Sequence, residues 1–204
     1  MKIEEMISAV QGVLGVAVDG RAGPETWSAI YQRIVTPAIA PTLQAPAIAA
    51  VDPRSQQVIA TLLPKVQPMA RALVQKAALG GIRIKIISGF RTYEEQDALY
   101  AQGRTAPGPI VTNARAGYSN QNFGIAFDVG VFEGNRYLGE SPKYKAVGVL
   151  GMDLGLEWGG NWKTMVDQPH FQLRPTWAAG MAMSEKGMLA ELRSRIAEGR
   201  PVYV

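Results

Sequence analysis

The sequence predicts an α+β protein: a small sheet with flanking helices, preceded by a small N-terminal helical module. Three observations carry this. Apolar residues recur at helical spacing at both ends of the chain and between its short apolar runs. Two of those runs, Ile82–Ile87 and the residues after Asp128, are strand-like and end at glycine turns. A Pro- and Ala-rich stretch, Thr36–Pro53, separates the first two helices from everything that follows. The division read from these signals is 1–36 for the helical module, 37–54 for a linker and 55–204 for the main domain.

Glu4–Leu14 places Met6, Ile7, Val10 and Leu14 on one helical stripe. A Gly-rich turn leads into a second helix, Pro24–Val35, where proline suits a first helical position. No third helix is visible in this module. A long helical stretch from Ser55 to Leu79 is predicted to bend or break near Pro64 and Pro68, since proline removes a backbone donor and clashes with the preceding turn. Ile82–Ile87, with Arg83 and Lys85 alternating, reads as a strand. Gly89 permits a sharp exit, and Thr92 with Glu95 three residues later forms a capping box for a helix to about Gln102. Gly103–Ala114 holds too many breakers for a helix and reads as a loop. Val129, Val131 and Phe132 extend a strand, Gly134-Asn135 marks a turn before Tyr137-Leu138, and Ser141-Pro142 opens a helix carrying Val147, Leu150 and Leu154. The tail Met181–Glu198 has helical spacing.

The chemistry concentrates in two short segments. Residues 119–128 read Ser-Asn-Gln-Asn-Phe-Gly-Ile-Ala-Phe-Asp, and the chain's single histidine, His170, stands in Asp167-Gln168-Pro169-His170-Phe171. Catalytic zinc wants three protein ligands drawn from imidazole and carboxylate, with a fourth position open for water. Asp128 and His170 supply one carboxylate and one imidazole, and Asp167 is a second carboxylate close to the histidine in sequence. Gln121 can offer only a neutral amide oxygen, a poor replacement for imidazole nitrogen on zinc. Arg91 falls at a strand-to-helix turn, where functional residues gather on loops held by rigid elements.

Ser119, Gly124, Ala126, Asp128, Asp167 and His170 follow the pattern Ser-x-His-x-x-Gly-x-Ala-x-Asp, with an acidic residue three places before a later His. This resembles the zinc D-Ala-D-Ala dipeptidase and L-alanyl-D-glutamate endopeptidase family. Gly-Arg-Thr at 103–105, Val-Thr-Asn-Ala at 111–114 and Gly155–Trp162 resemble the endopeptidase subgroup of phage lysins and wall-remodelling enzymes, and the likeness spans about residues 55–175. It implies a small antiparallel sheet carrying a zinc site whose ligand positions are Gln121, Asp128 and His170, with Gln121 where the family has histidine. It further implies Asp167 as general base, Arg91 as the group that steadies substrate and its developing charge, and Ser119, Glu157 and Trp158 on the substrate side. Glu157 lies thirteen residues before His170, so the base is assigned to Asp167 instead. Trp158 and Trp162 read equally well as groove walls or as buried aromatics. The implied activity is cleavage of the L-Ala-D-Glu bond of the peptidoglycan stem peptide, impaired here by Gln121. A catalytically silent wall-binding protein and a D-Ala-D-Ala carboxypeptidase are the alternatives. Asp19-Gly20-x-x-Gly23-Pro24-x-Thr26 resembles the small helical peptidoglycan-binding module often fused to wall hydrolases.

Composition agrees with this reading. The 204 residues hold one ordinary domain plus a small module, and the 47% hydrophobic content contains no apolar run of spanning length. The start Met1-Lys2-Ile3-Glu4-Glu5 lacks a secretory apolar core, which implies synthesis in the cytoplasm and delivery to the wall by lysis or dedicated secretion. Cysteine is absent, which removes thiolate nucleophiles and disulfides. The net charge of +4 suits an anionic wall. Scattered Lys and Arg, with no nucleic-acid motif, argue against a nucleic-acid partner.

Overall fold

The computed structural model describes residues 2–34, 50–180 and 183–203. The chain divides into two compact units, Met1–Pro46 and Ala47–Val204. Most of the expected linker, residues 37–49, lies outside the described residues, as do Val35 of the expected second helix and Met181 and Ala182 of the expected tail helix.

The first unit contains α1 (Ile3–Leu14) and α2 (Pro24–Ile34). Its polar hub is Gln11, 1% exposed. The Gln11 amide donates to Asp19 Oδ1, the Arg21 carbonyl and Thr26 Oγ1, while its oxygen accepts from the Asp19 and Gly20 backbone N–H groups. One buried amide therefore fixes the whole Asp-Gly turn, with Gly20 supplying the left-handed φ of 70° that the turn requires.

In the second unit, α3 (Pro53–Ala60) begins inside the stretch read as linker. Asp52 caps it by accepting from the Ser55 N–H at 3.1 Å. The expected long helix is two helices. It breaks at Thr61–Val66, around Pro64, and resumes as α4 (Gln67–Leu79), where Pro68 sits in the first turn and bends nothing. Then come β1 (Arg83–Ser88), α5 (Tyr93–Ala101), a 3-10 turn at Asn120–Phe123, β2 (Ala126–Glu133), β3 (Arg136–Leu138), α6 (Lys143–Asp153), β4 (Glu157–Trp158), a second 3-10 turn at Gly159–Asn161, β5 (His170–Gln172), α7 (Thr176–Gly180) and α8 (Glu185–Ala197). The Thr92–Glu95 capping box is present on α5, with both hydrogen bonds made.

The strands form one antiparallel sheet in the order β1-β2-β5-β4, with β3 pairing β2 as a hairpin. Strand alternation separates its two faces. Ile84, Ile86, Phe127, Val129, Val131 and Phe171 point into the core against Ile59, Leu73, Val74 and Ala77 from α3 and α4, and Tyr144 and Val147 from α6. Phe127 and Phe171 stack across the β2–β5 pair with centroids 5.9 Å apart. Asp128, His170 and Gln172 fall out of phase with that core set. Burying the apolar face thus forces these polar side chains onto the opposite one.

Candidate metal and catalytic site

The sheet register assembles the site. Asp128 on β2 is paired with His170 on β5, and with Ser88 on β1 across an irregularity between Ile86 and Ser88. That shift brings the Ser88 side chain to the Asp128 side of the sheet. Gln121 lies in the 3-10 turn that closes at Gly124, where φ is 64°. Its carbonyl accepts from the Arg91 N–H at 3.1 Å, and Asn122 Nδ2 donates to the Arg91 carbonyl at 2.9 Å. The strand-to-helix turn carrying Arg91 is therefore tied to the turn carrying Gln121.

Asp128, Asp167 and His170 each offer a ligand atom, and these lie within 4.8 Å of one another. Asp167 arrives through a tight turn: its N–H donates to the Gly159 carbonyl, and its own carbonyl accepts from the His170 N–H. Gly159 is required there, since a Cβ would stand 2.5 Å from the Asp167 carbonyl oxygen. Burial raises the Asp167 carboxyl above its ordinary value, the Asp128 charge adds to the rise, and His170 opposes it.

His170 is buried, with Trp162 beside its ring at 5.0 Å between centroids. Its Nδ1 lies 3.2 Å from Asp128 Oδ1 and its Nε2 lies 3.0 Å from Gln172 Oε1. Burial alone would lower its pKa, but the hydrogen bond and charge of Asp128 outweigh it, and the imidazole is raised above its usual value. Gln121 Nε2 donates to Asp128 Oδ2 at 2.7 Å and to Ser88 Oγ at 3.0 Å. A carboxylate only accepts, so the Gln121 amide must present N–H to Asp128 and turn its oxygen away.

This orientation decides the fit to zinc. The family site needs three lone-pair donors plus an open position. In this form Asp128 and His170 supply two, and Gln121 aims hydrogen where a third lone pair is needed. Recruiting Asp167 as the third ligand would consume the carboxylate assigned to proton transfer. The residues present do not complete that zinc centre.

Arg91 is half-buried, and burial lowers its pKa. Its Nη1 donates to Gln96 Oε1 at 2.8 Å and its Nη2 to Ser88 Oγ at 3.3 Å, while Gln96 is itself held by the Ala114 carbonyl. Ser88 accepts from both Arg91 and Gln121 and so links the guanidinium to the Asp128 cluster. Ser119 caps the 3-10 turn through its backbone, with no side-chain cap bond. Glu157 is turned towards Arg174 and Gln172, pairing with Arg174 Nε and accepting from Gln172 Nε2 at 2.7 Å. Trp158 is in the core, not on a groove wall. It is 7% exposed, its ring lies against Gly148 and Gly160, and its Nε1 donates to the Gln168 carbonyl.

The sequence reading missed Ser88, Gln96, Asn120, Gln172 and Arg174. Only Gln172 carried a signal, being two residues beyond His170 on a strand and hence on the same face.

A family model described as D-alanyl-D-alanine carboxypeptidase matches residues 112–173, which include every member of the Asp128 cluster except Ser88 and Arg91. The peptidoglycan L-alanyl-D-glutamate endopeptidase CwlK of Bacillus subtilis (strain 168) is 41% identical over 126 residues, covering 56% of this chain and 74% of that protein. The chain belongs to the M15 peptidase family. M15 peptidases are metallopeptidases, and Asp128, Asp167 and His170 form a group that could hold a metal ion. Two solved structures also align. The L-Ala D-Glu endopeptidase ChiX of Serratia marcescens is 23% identical, covers 65% of this chain and 95% of its own, and gives a TM-score of 0.48. A mutant of the vancomycin resistance D,D-pentapeptidase VanY from a VanB-type cassette, in complex with Zn(II), is 17% identical, covers 64% and 83%, and gives 0.45.

Proposed function

We propose that this chain is a peptidoglycan endopeptidase of the L-alanyl-D-glutamate type whose metal centre is weakened by Gln121. The observation that carries the reading is the convergence of Asp128, Asp167 and His170, whose ligand atoms lie within 4.8 Å of one another, with the Gln121 amide donating to Asp128. The identity to CwlK supports the choice of bond. Asp167, its carboxyl raised by burial, is suited to take a proton from the attacking water and return it to the D-Glu nitrogen as the peptide C–N bond breaks. Arg91, preorganised by Gln96 and Ser88, supplies fixed positive charge for the substrate carbonyl or a neighbouring carboxylate. The substrate is the wall stem peptide. Among the described residues, no helix is long and apolar enough to cross a membrane.

The test compares this chain with Gln121→His for zinc retained against a chelator and for new amino termini released from purified peptidoglycan. The substituted protein is expected to hold one zinc per chain tightly and to release D-Glu amino termini, while the parent does both weakly. Equal zinc retention and equal turnover in the two would overturn the reading. The Gln121 amide, which bridges Asp128 and Ser88 through its own N–H groups, favours one second reading, a wall-binding protein without turnover. Gln121→His that sediments with peptidoglycan but releases nothing would select it. Release of free D-alanine instead would mark a carboxypeptidase.

A further inference from the structure

Past Asp128 the open face of the sheet continues along β2. Strand alternation puts Gly130 and Phe132 on the Asp128 face, opposite the core face of Phe127, Val129 and Val131. The hairpin brings Tyr137 of β3 beside Phe132, with ring centroids 5.5 Å apart and planes tilted by 52°. Gly130 is what lets these rings come down onto the strand: a Cβ there would stand 2.9 Å from a ring carbon of each and 3.2 Å from Ile87 Cγ2. Tyr137, Phe132 and Ile87 thus form a ledge over Gly130, with Tyr137 and Ile87 exposed. The charges around it are engaged. Lys85 Nζ stands 4.8 Å from the Phe132 ring centroid, Arg83 donates to the Gly134 carbonyl, and Arg136 and Lys143 both pair with Glu133. What the ledge presents to a ligand is therefore aromatic and neutral.

The fixed positive charge of the site lies the other way. Arg91 follows β1 beyond Ser88, the partner of Asp128, whereas Gly130 is paired with Lys85, earlier on β1. This asymmetry matches the two sides of the L-Ala-D-Glu bond, the assignment on which the inference rests. The D-Glu side carries a carboxylate, which suits Arg91. The L-Ala side leads through a lactyl group to a neutral N-acetylated sugar of the glycan strand. From the scissile carbonyl to that sugar is one amino acid plus the lactyl unit, two residue-lengths or about 7 Å. Gly130 lies two residues beyond Asp128 on an antiparallel strand, also about 7 Å. We propose that the ledge is a subsite for the lactyl-bearing sugar, with Tyr137 as the ring on which it stacks. A pyranose turns a face of C–H groups outwards, apolar and weakly positive, and the negative face of an aromatic ring is its complement.

The test measures binding, in chelator-treated full-length protein so that no probe is cleaved. Two probes are compared by calorimetry: a wall disaccharide carrying its stem tetrapeptide, and the same tetrapeptide without sugar. The sugar-bearing probe is expected to bind about tenfold more tightly, the scale of one aromatic contact. Its sugar C–H protons are expected to move upfield in the bound state, as protons above a ring do. Tyr137→Ala is expected to bring the two affinities together, while Tyr137→Phe keeps them apart, since stacking does not need the hydroxyl. Equal affinities in the parent overturn the proposal whatever the variants do. So does a folded Tyr137→Ala that keeps the preference, which would place sugar recognition elsewhere in the chain. If Tyr137→Ala fails to fold, unshifted sugar protons on the parent overturn it instead. Should Gln121→His cut a different bond while the Tyr137-dependent preference stands, the choice of bond fails and the subsite does not.

Discussion

An imidazole and a carboxamide of similar reach differ at position 121 in what they can aim at a cation. Imidazole brings a lone pair, whereas the Gln121 amide, facing an acceptor-only Asp128, must bring N–H. The residue-scale prediction follows in the Gln121→His background. Asp167→Asn is expected to leave zinc bound and lower turnover by about 10²- to 10⁴-fold, the usual contribution of a positioned acid or base. Glu157→Gln is expected to cost less, because Glu157 reaches the site only through Gln172. Turnover measured alongside metal content checks both, and a larger loss from Glu157→Gln with metal retained would reverse the assignment. The grouping of Asp128, Asp167 and His170 was legible in the sequence because they match the pattern of the family the chain resembles, and the fold brings them together. Asn120 and Arg174 were not, because each acts through a partner brought near by folding, and Gln172 showed only its place on the His170 face of the strand.

At the scale of elements, the sheet edge nearest the site depends on one side chain of α3. Ser55 is fully buried; its hydroxyl donates to Asp52 Oδ2 at 2.6 Å and accepts from the Ile86 N–H of β1 at 3.0 Å, just before the irregularity that aims Ser88 at Asp128. Ser55→Ala leaves a buried N–H unpaired and is expected to destabilise the fold by about 1–3 kcal/mol in urea unfolding. It should also weaken the Ser88–Gln121 contact, visible as faster amide exchange at Ser88. Tyr144 of α6 makes a second, pH-dependent link, donating to the Leu138 carbonyl at 3.0 Å and accepting from the Val131 N–H. Burial raises its phenol from 10.0 to about 12, and the half-buried Tyr203 is raised as well. An acid whose folded pKa is raised contributes stability that is full below the unfolded pKa and is lost as pH climbs through the folded one. The urea midpoint should therefore fall between pH 10 and about 12, and Tyr144→Phe should flatten that fall. Helix and strand identities were legible from period and caps, such as Thr92–Glu95. The break at Pro64 was foreseen, but Pro68 was misjudged: a proline in a first helical turn replaces a donor that has no partner anyway, and only the start of α4 shows which kind it is. The short α7 carries too few residues to show a period.

At the scale of the whole molecule, the units Met1–Pro46 and Ala47–Val204 have separate internal organisation. The first is held by the Gln11 hub and the second by the core around Phe127, Val129 and Phe171. We propose that the first unit is a wall-binding module and the second the peptidase domain. On that division, removing residues 1–46 is expected to leave a protein that still unfolds cooperatively in urea and sediments less with purified peptidoglycan. Tethering acts on local concentration and not on chemistry. The same truncation in the Gln121→His background should therefore slow lysis of intact wall about 10-fold or more, by loss of the effective concentration that a tether supplies, while cleavage of a small soluble stem peptide stays near the untruncated rate. Equal loss on both substrates would mean that the first unit supports the catalytic fold itself. Unchanged sedimentation would mean that wall capture resides in the second unit, with Arg91 and the Asp128 face doing the binding.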